Sequence, residues 1–192
     1  MNRIYVLTGK SSSGKDSIFR ELMKDDKTLK SVIPYTTRPL REGEHEGVEY
    51  RFSDEDEFSR LKAEGRVIED RSYNTVQGLW RYFTVDDGSF DGDEDILLIG
   101  TLDTVNSIRS YFGSRKETIP IYIECDDGDR LIRAVNREKK RKDPQYKELC
   151  RRFLADDEDF SEERLRAAGV AVRIENDDLF NCIREIRKHI GN

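Results

Sequence analysis

A glycine-bounded loop near the start of the chain constrains its fold more than any other feature. The apolar run Ile4-Tyr5-Val6-Leu7 leads into Gly9-Lys10-Ser11-Ser12-Ser13-Gly14-Lys15-Asp16-Ser17, and Ile18, Phe19, Leu22 and Met23 then recur at helical spacing. Strand, loop, lysine and helix in that order is the context in which a phosphate-binding loop works. Gly9 and Gly14 can take backbone angles closed to other residues, so the loop can turn its N–H groups inward around an anion. The new helix points the positive end of its dipole at the same spot. Lys15 reaches the outer phosphates as a point charge. The full pattern carries Ser or Thr after the lysine, to place a hydroxyl on magnesium. Asp16 stands there instead, with Ser17 behind it. A carboxylate is a hard oxygen ligand that suits magnesium, but it repels phosphate unless the metal sits between them. Asp16 therefore either tightens a metal site or marks a loop that no longer transfers anything.

The fold class is set by the rest of the apolar pattern. Further runs lie at Val32–Ile33, Ile96–Ile99, Ile119–Ile123 and Val170–Ile174, and helical patterns separate several of them. Leu102, Val105 and Ile108 share one face, as do Leu131, Ile132 and Val135, and Leu179, Cys182, Ile183, Ile186 and Ile190. This alternation predicts an α/β fold with a five-stranded parallel sheet covered on both faces. The phosphate loop then lies at the carboxyl edge of the sheet, where ligands bind. The alternation breaks twice. Residues 34–90 hold turn signals, aromatics and one short helix with Ser53 as N-cap and Gly65 as its stop, a small mixed insertion. Residues 129–160 begin as an amphipathic helix, run into Arg137 and Lys139–Lys142, stop at Asp143-Pro144, and continue as a second helix carrying Arg152. The expectation is one domain over 1–192, with a core of 1–33, 91–128 and 161–192, an insertion over 34–90 and a lid over 129–160.

Composition excludes several classes. A net charge of -6 across 192 residues argues against general nucleic-acid binding. No apolar run approaches the roughly 20 residues of a membrane span, and the first strand begins too early for a signal peptide. Cys125, Cys150 and Cys182 are odd in number and lack metal-ligand spacing. They read as reduced, packed thiols of a cytoplasmic protein.

The most informative stretch after the loop is Tyr35-Thr36-Thr37-Arg38-Pro39-Leu40-Arg41-Glu42-Gly43-Glu44, continuing through Gly47-Val48-Glu49-Tyr50-Arg51-Phe52. Two arginines three apart and a tyrosine can converge on one anion, because a guanidinium offers a planar fork that fits phosphate oxygens. Taken alone, the same stretch reads equally as a polar hairpin with solvated charges.

Together with the loop Gly9–Lys15, this segment resembles the guanylate kinases, which move the terminal phosphoryl of ATP onto GMP. The family's Thr-Thr-Arg is matched by Thr36-Thr37-Arg38, its Arg-x-Gly-Glu by Arg41–Glu44, and its Gly-x-x-Tyr-x-Phe by Gly47–Phe52. Val67-Ile68-Glu69 is similar to the apolar pair and Glu that contact guanine, and Asn176-Asp177-Asp178-Leu179 to the segment near the adenine of the donor. The resemblance implies that Arg38, Arg41, Tyr50 and Tyr82 hold the acceptor phosphate and that Glu69 meets the guanine edge. It implies that Gly9–Ser17, Arg133 and Asn176 serve ATP, with Arg133 and Arg137 as lid arginines. It implies that Lys15, Arg38, Arg137 and Arg152 surround the transferred group; magnesium is expected at Asp16, whose carboxylate takes the place of the usual hydroxyl. Lys139–Lys142 reads as a solvated basic helix end and takes no part in that picture. Several family positions differ. A serine that touches guanine is Pro34 here, and two aspartates fall at Ile99 and Thr101, whose hydroxyl is the remaining candidate for the acceptor. The readings left open are a kinase for GMP or dGMP, a kinase of the same fold with another acceptor, and a binding module that keeps the fold without the reaction. The expected partners are ATP and a nucleoside monophosphate, with no nucleic acid and no membrane, in a monomer or homodimer.

Overall fold

The apolar runs become the strands of a parallel sheet. The computed structural model describes residues 2–25, 28–40, 44–48, 50–75 and 78–190. In chain order its elements are β1 (Arg3–Thr8), α1 (Lys15–Asp25), β2 (Leu29–Ser31), β3 (Tyr35–Thr36), β4 (Arg51–Phe52), α2 (Glu55–Ala63), β5 (Val67–Thr75), β6 (Gly78–Val85), β7 (Asp95–Ile99), α3 (Leu102–Phe112), β8 (Glu117–Glu124), α4 (Asp127–Glu138), α5 (Tyr146–Asp159), α6 (Glu162–Ala167), β9 (Val172–Glu175) and α7 (Leu179–His189). Five strands pair in the order β2-β7-β1-β8-β9, and every pairing among them is parallel.

β1 is central, and Ile4, Tyr5, Val6 and Leu7 are all fully buried. A strand covered on both faces reads as an unbroken apolar run, and the pleat sends alternate residues to opposite cores. Tyr5 and Leu7 pack with Ile121, Ile123, and Ile18 and Leu22 of α1, and with Cys182 and Ile186 of α7. Ile4 and Val6 pack with Ile96, Leu98 and Phe90, and with Val105, Ile108 and Phe112 of α3. The expected five-stranded parallel sheet is thus the one formed. β1 ends at Thr8, so the glycine loop opens at the carboxyl edge of the sheet and feeds α1.

Four local expectations need correction. The second apolar run predicts a strand at Val32–Ile33, but β2 covers Leu29–Ser31. Pro34 disfavours pairing there, because it lacks an N–H and restrains the residue before it. α2 is capped by Asp54 and not by Ser53: Asp54 Oδ1 accepts from Glu57 N at 2.8 Å, while Ser53 Oγ donates to the Glu57 carboxylate at 2.8 Å. α4 stops at Glu138, before the basic run. There the Glu138 carboxylate accepts from Gln145 N at 2.9 Å and from Arg141, which turns the chain back toward α5. Cys150 is exposed, whereas Cys125 and Cys182 pack as expected.

The segment between the two halves of the core holds more structure than its turn signals predict. β4, β3, β6 and β5 form a second sheet in that order, and β5–β6 is a long antiparallel hairpin. Phe58 and Leu61 of α2 pack beneath Phe83 and Val85. The face toward α2 carries Phe83 and Val85 but also Asp70 and Arg81, and the other face mixes Glu69 and Arg71 with Tyr82 and Trp80, so no single hydrophobic period marks the hairpin.

Candidate active site

The glycine loop is held in a constrained shape. Gly9 and Gly14 have φ of 156° and 96°, and Ser12 is the only described non-glycine with positive φ, at 63°. A Cβ on Gly9 would sit 2.7 Å from the Ile123 carbonyl oxygen, and one on Gly14 would collide with Asn176 Nδ2. The loop therefore needs glycine at both ends for space as well as for angle. Asn176 is buried and donates through Nδ2 to the Ser13 carbonyl at 2.7 Å, while its own N–H bonds the Glu124 carbonyl. Arg133 Nη2 donates to the Asn176 carbonyl at 3.2 Å. Asn176 and Arg133, read from sequence as donor ligands, thus brace the loop from the end of β9 and from α4. Ser12 Oγ and Ser13 Oγ are buried without a protein partner. Unpartnered hydroxyls in a loop rich in N–H groups suit an anion that supplies acceptors.

Helices α4 and α5 lie against this loop. A cavity between them and the loop is lined by Ser11, Ser12, Ala134, Arg137, Glu138, Arg152 and Phe153, among others. Burial holds the Lys15 ammonium below the usual lysine range. Asp16 and Asp156 oppose that shift, whereas Arg152 and Arg137 reinforce it. Both arginines are therefore within electrostatic reach of the loop lysine and concentrate positive charge there.

A buried ion pair fixes the approach of these helices. Arg130 is almost wholly buried, and its Nη1 donates to Asp156 Oδ2 at 3.0 Å and to the Ser11 carbonyl at 3.0 Å. Its Nε and Nη2 donate to Asp127 Oδ1 at 3.0 and 2.6 Å. Asp156 in turn accepts from Ser11 N at 2.9 Å and Ser11 Oγ at 3.1 Å. Lys10 Nζ pairs with Asp157 at 2.6 Å. Helix α4, helix α5 and the loop are so tied at one point. Sequence reading missed both Arg130 and Asp156. The available signal was Arg130 four residues before Ala134 on one face of α4, together with the acidic run Asp156–Asp159 on α5.

Across the cleft, the second sheet gathers its own cationic and aromatic groups. Arg38 is 3% exposed. Its Nη1 and Nη2 donate to the two Glu44 oxygens at 2.7 and 2.5 Å, and its Nε is buried without a partner. The guanidinium carbon lies 4.9 Å from the Tyr50 ring centre and 5.4 Å from that of Phe52. Tyr50 packs edge-on against Tyr82 with ring centres 5.6 Å apart. Burial raises the Tyr50 phenol above its ordinary value, and the Asp16 charge adds to that rise. Asp16 at the loop exit is thus within electrostatic reach of Tyr50. Glu69 accepts a hydrogen bond from Thr84 Oγ1 at 3.0 Å, and burial lifts its carboxyl above the usual range. The structure so brings Arg38, Tyr50 and Tyr82 together, with Glu69 on β5, next to the strand that carries Tyr82. Thr101 is different. It caps α3, where its hydroxyl accepts from Thr104 N at 3.3 Å and shares a bond with the Thr104 hydroxyl. Arg41 lies outside the described residues.

A family model described as guanylate kinase matches residues 1–191. The chain belongs to the guanylate kinase family. A guanylate kinase of Caldanaerobacter subterraneus is 28% identical over 203 residues, covering 95% of each chain. Higher identity occurs in shorter stretches. A guanylate kinase of Granulibacter bethesdensis is 41% identical over 78 residues, and that match spans 38% of this chain and 37% of the relative's length. A match to a guanylate kinase of Thermobifida fusca is 43% identical over 67 residues and spans 35% of this chain and 34% of that one. The crystal structure of guanylate kinase from Anaplasma phagocytophilum superposes with a TM-score of 0.67 at 18% identity, covering 100% of this chain and 87% of that one, which shows a shared fold.

Among the described residues, no three His, Cys, Asp or Glu gather into a metal cage. Asp16 is exposed in the first turn of α1, within reach of Lys15. One carboxylate beside a phosphate cradle fits magnesium, which keeps several waters and takes one or two carboxylates along with substrate phosphates. It does not fit a metal held by protein ligands alone.

Proposed function

We propose that the protein transfers the terminal phosphoryl of ATP to a nucleoside monophosphate, GMP or dGMP, giving GDP or dGDP. The observation that carries this reading is the adjacency of two anion pockets. The glycine loop with Lys15 shares a cavity and electrostatic reach with Arg137 and Arg152, and Asp16 at its exit is within electrostatic reach of Tyr50 in the Arg38–Tyr50–Tyr82 cluster. Phosphoryl transfer needs little covalent chemistry from the protein; it needs two phosphates in line and positive charge around the equatorial oxygens.

The N–H groups of Ser12, Gly14, Lys15 and Asp16 cradle the donor phosphates, those of Ser11 and Ser13 being bonded to Asp156 and the Lys10 carbonyl, and Lys15 reaches the outer ones. Asp16 would hold the magnesium that enters with ATP, and the ion would offset charge on the donor phosphates. Arg38, aided by Tyr50 and Tyr82, orients the acceptor phosphate, whose own oxygen is the nucleophile, so no strong general base is required. Helices α4 and α5 act as a lid, in which Arg137 and Arg152 close the charge cage and exclude water that would otherwise hydrolyse ATP. Glu69 accepts hydrogen bonds from the base. Lys15 arrives with its charged form disfavoured by burial, and phosphate binding relieves that cost. The net charge of -6 and three unpaired cysteines support a reducing, cytoplasmic setting with free nucleotides as partners and no nucleic acid.

The test is ADP formation from ATP, coupled to a spectroscopic readout and run with each nucleoside monophosphate in turn. GMP or dGMP should be the preferred acceptor. Lys15→Ala should lose well over tenfold in rate, more than about 1.4 kcal/mol of barrier, without loss of thermal stability. Turnover within tenfold of the unaltered protein would remove the loop from the reaction.

A further inference from the structure

Beside Glu69 on β5 stands a second charged side chain, Arg71. Residues two apart on a strand share a face, so Arg71 lies on the face of Glu69. The ladder places Glu69 opposite Thr84 and Arg71 opposite Tyr82. Tyr82 is the ring that packs on Tyr50, and Tyr50 lies against the Arg38 guanidinium. Arg71 therefore belongs to the cleft and not to the outer surface of the hairpin. Its charge also reaches Tyr50.

The two charges are arranged side by side. Arg71 Nε forms an ion pair with Glu69 Oε2 at 3.3 Å and is buried with no other partner among the described residues. The Arg71 side chain is a third exposed, at 33%, whereas that of Glu69 is 6% exposed. Thr84 holds the other Glu69 oxygen. A carboxylate has about four lone-pair sites, so Glu69 retains acceptor capacity after both contacts. Arg71 retains N–H donors directed by a planar fork. The cleft thus presents acceptors and donors next to one another at a partly open position.

Guanine carries the complement of that pattern. Its pairing edge has two donors, the ring N1–H and the 2-amino group, followed by one acceptor, the 6-oxo group. We propose that Arg71 is a specificity-determining residue that donates to the 6-oxo group of the acceptor base while Glu69 accepts from N1–H and the 2-amino group. Adenine reverses the edge. Its 6-amino group would face the guanidinium donors, and its unprotonated N1 would face the carboxylate. Each mismatch leaves polar groups unpaired in a half-buried cleft, the arrangement that rejects near-isosteric ligands most strongly.

The proposal rests on the acceptor reading above and can fail separately from it. The experiment compares GMP with 6-thio-GMP, which changes only the oxygen to a poor acceptor, and with AMP. Each is assayed in the unaltered protein, in Arg71→Met and in Arg71→Gln, with ATP saturating. Arg71→Met should lower kcat/KM for GMP roughly 10- to 100-fold, mainly through KM, the size of one charged hydrogen bond. It should also bring the GMP to 6-thio-GMP ratio close to one and raise AMP relative to GMP. Arg71→Gln, which keeps a neutral donor, should retain part of both ratios. It also serves as the folded comparison, checked by thermal unfolding, if Arg71→Met is unstable. A GMP to 6-thio-GMP ratio that is the same in all three proteins overturns the role of Arg71 and leaves the kinase reading standing. An unaltered protein that turns over no GMP overturns the kinase reading, and the contact to the base with it.

Discussion

Replacing Arg130 by Met should destabilise the protein far more than the loss of any charge in α4 or α5 outside its ion pair with Asp156. The Arg130 side chain is 1% exposed and that of Asp156 is 10% exposed. Met keeps much of the aliphatic length of Arg and can still pack on Phe153, whose ring centre lies 4.7 Å from the guanidinium carbon. What is lost is charge. Asp156 keeps its two bonds from Ser11 but no longer has a buried counter-charge. Breaking a buried pair from one side costs about 3–5 kcal/mol. For a chain of this size each kcal/mol moves Tm by roughly 2–4 °C, so the expected fall is roughly 6–20 °C. Asp156→Leu alone should cost a similar amount, because it strands the Arg130 guanidinium beside the half-exposed Asp127 and frees Ser11. The double substitution should cost less than the sum by roughly 1–3 kcal/mol, since the buried charges leave together. Urea unfolding of the four proteins measures this directly. An Arg130→Met protein within about 0.5 kcal/mol of the original, or strictly additive single costs, would refute the claim that this pair ties the two helices to the loop. The same substitution should raise the KM for ATP, because Ser11 then loses its tether through Arg130.

Arg38→Ala should raise the KM for the acceptor and lower kcat while barely moving the KM for ATP. The cost should be about 1.5–3 kcal/mol for one charge-assisted contact, and an unchanged acceptor dependence would remove Arg38 from the cleft. Asp16→Ser restores a hydroxyl after the lysine yet should move the magnesium midpoint for ATP turnover several-fold upward, because a neutral oxygen replaces a charged ligand. If Asp16 only favours the helix N-terminus, worth roughly 0.3–1 kcal/mol, Tm would fall while the magnesium midpoint stayed put. Glu69 should set an acid limb in kcat/KM for the acceptor. Burial raises its pKa and its ionised form is the one that accepts from the base, so activity should fall, as pH drops, at a higher pH than an ordinary glutamate would give. A limb unmoved in Glu69→Gln would assign it to another group.

The parallel core and the phosphate loop are legible in the order of the amino acids, because both are local statements. Ile4–Leu7 is apolar on consecutive residues because its strand is covered on both faces, and Gly9 and Gly14 sit where the backbone must take angles or approaches that a side chain forbids. The Thr36–Arg38 and Gly47–Phe52 motifs likewise carry their meaning in short spacings. The surroundings of these motifs depend on how the layers assemble. Asn176 reaches Ser13 across 163 residues and Arg130 meets Asp156 across 26, and no spacing rule reports such pairs. The hairpin β5–β6 escaped because both of its faces mix charged with aromatic side chains, Asp70 and Arg81 beside Phe83 on one and Glu69 and Arg71 beside Tyr82 on the other, which erases the period-two pattern that marks a half-buried strand. Arg71 escaped with it. A charge two residues from Glu69 means nothing until the strand that puts both on one face is known. Charged pairs gain their strength from burial, and burial is a property of the assembled layers, not of the residues in line.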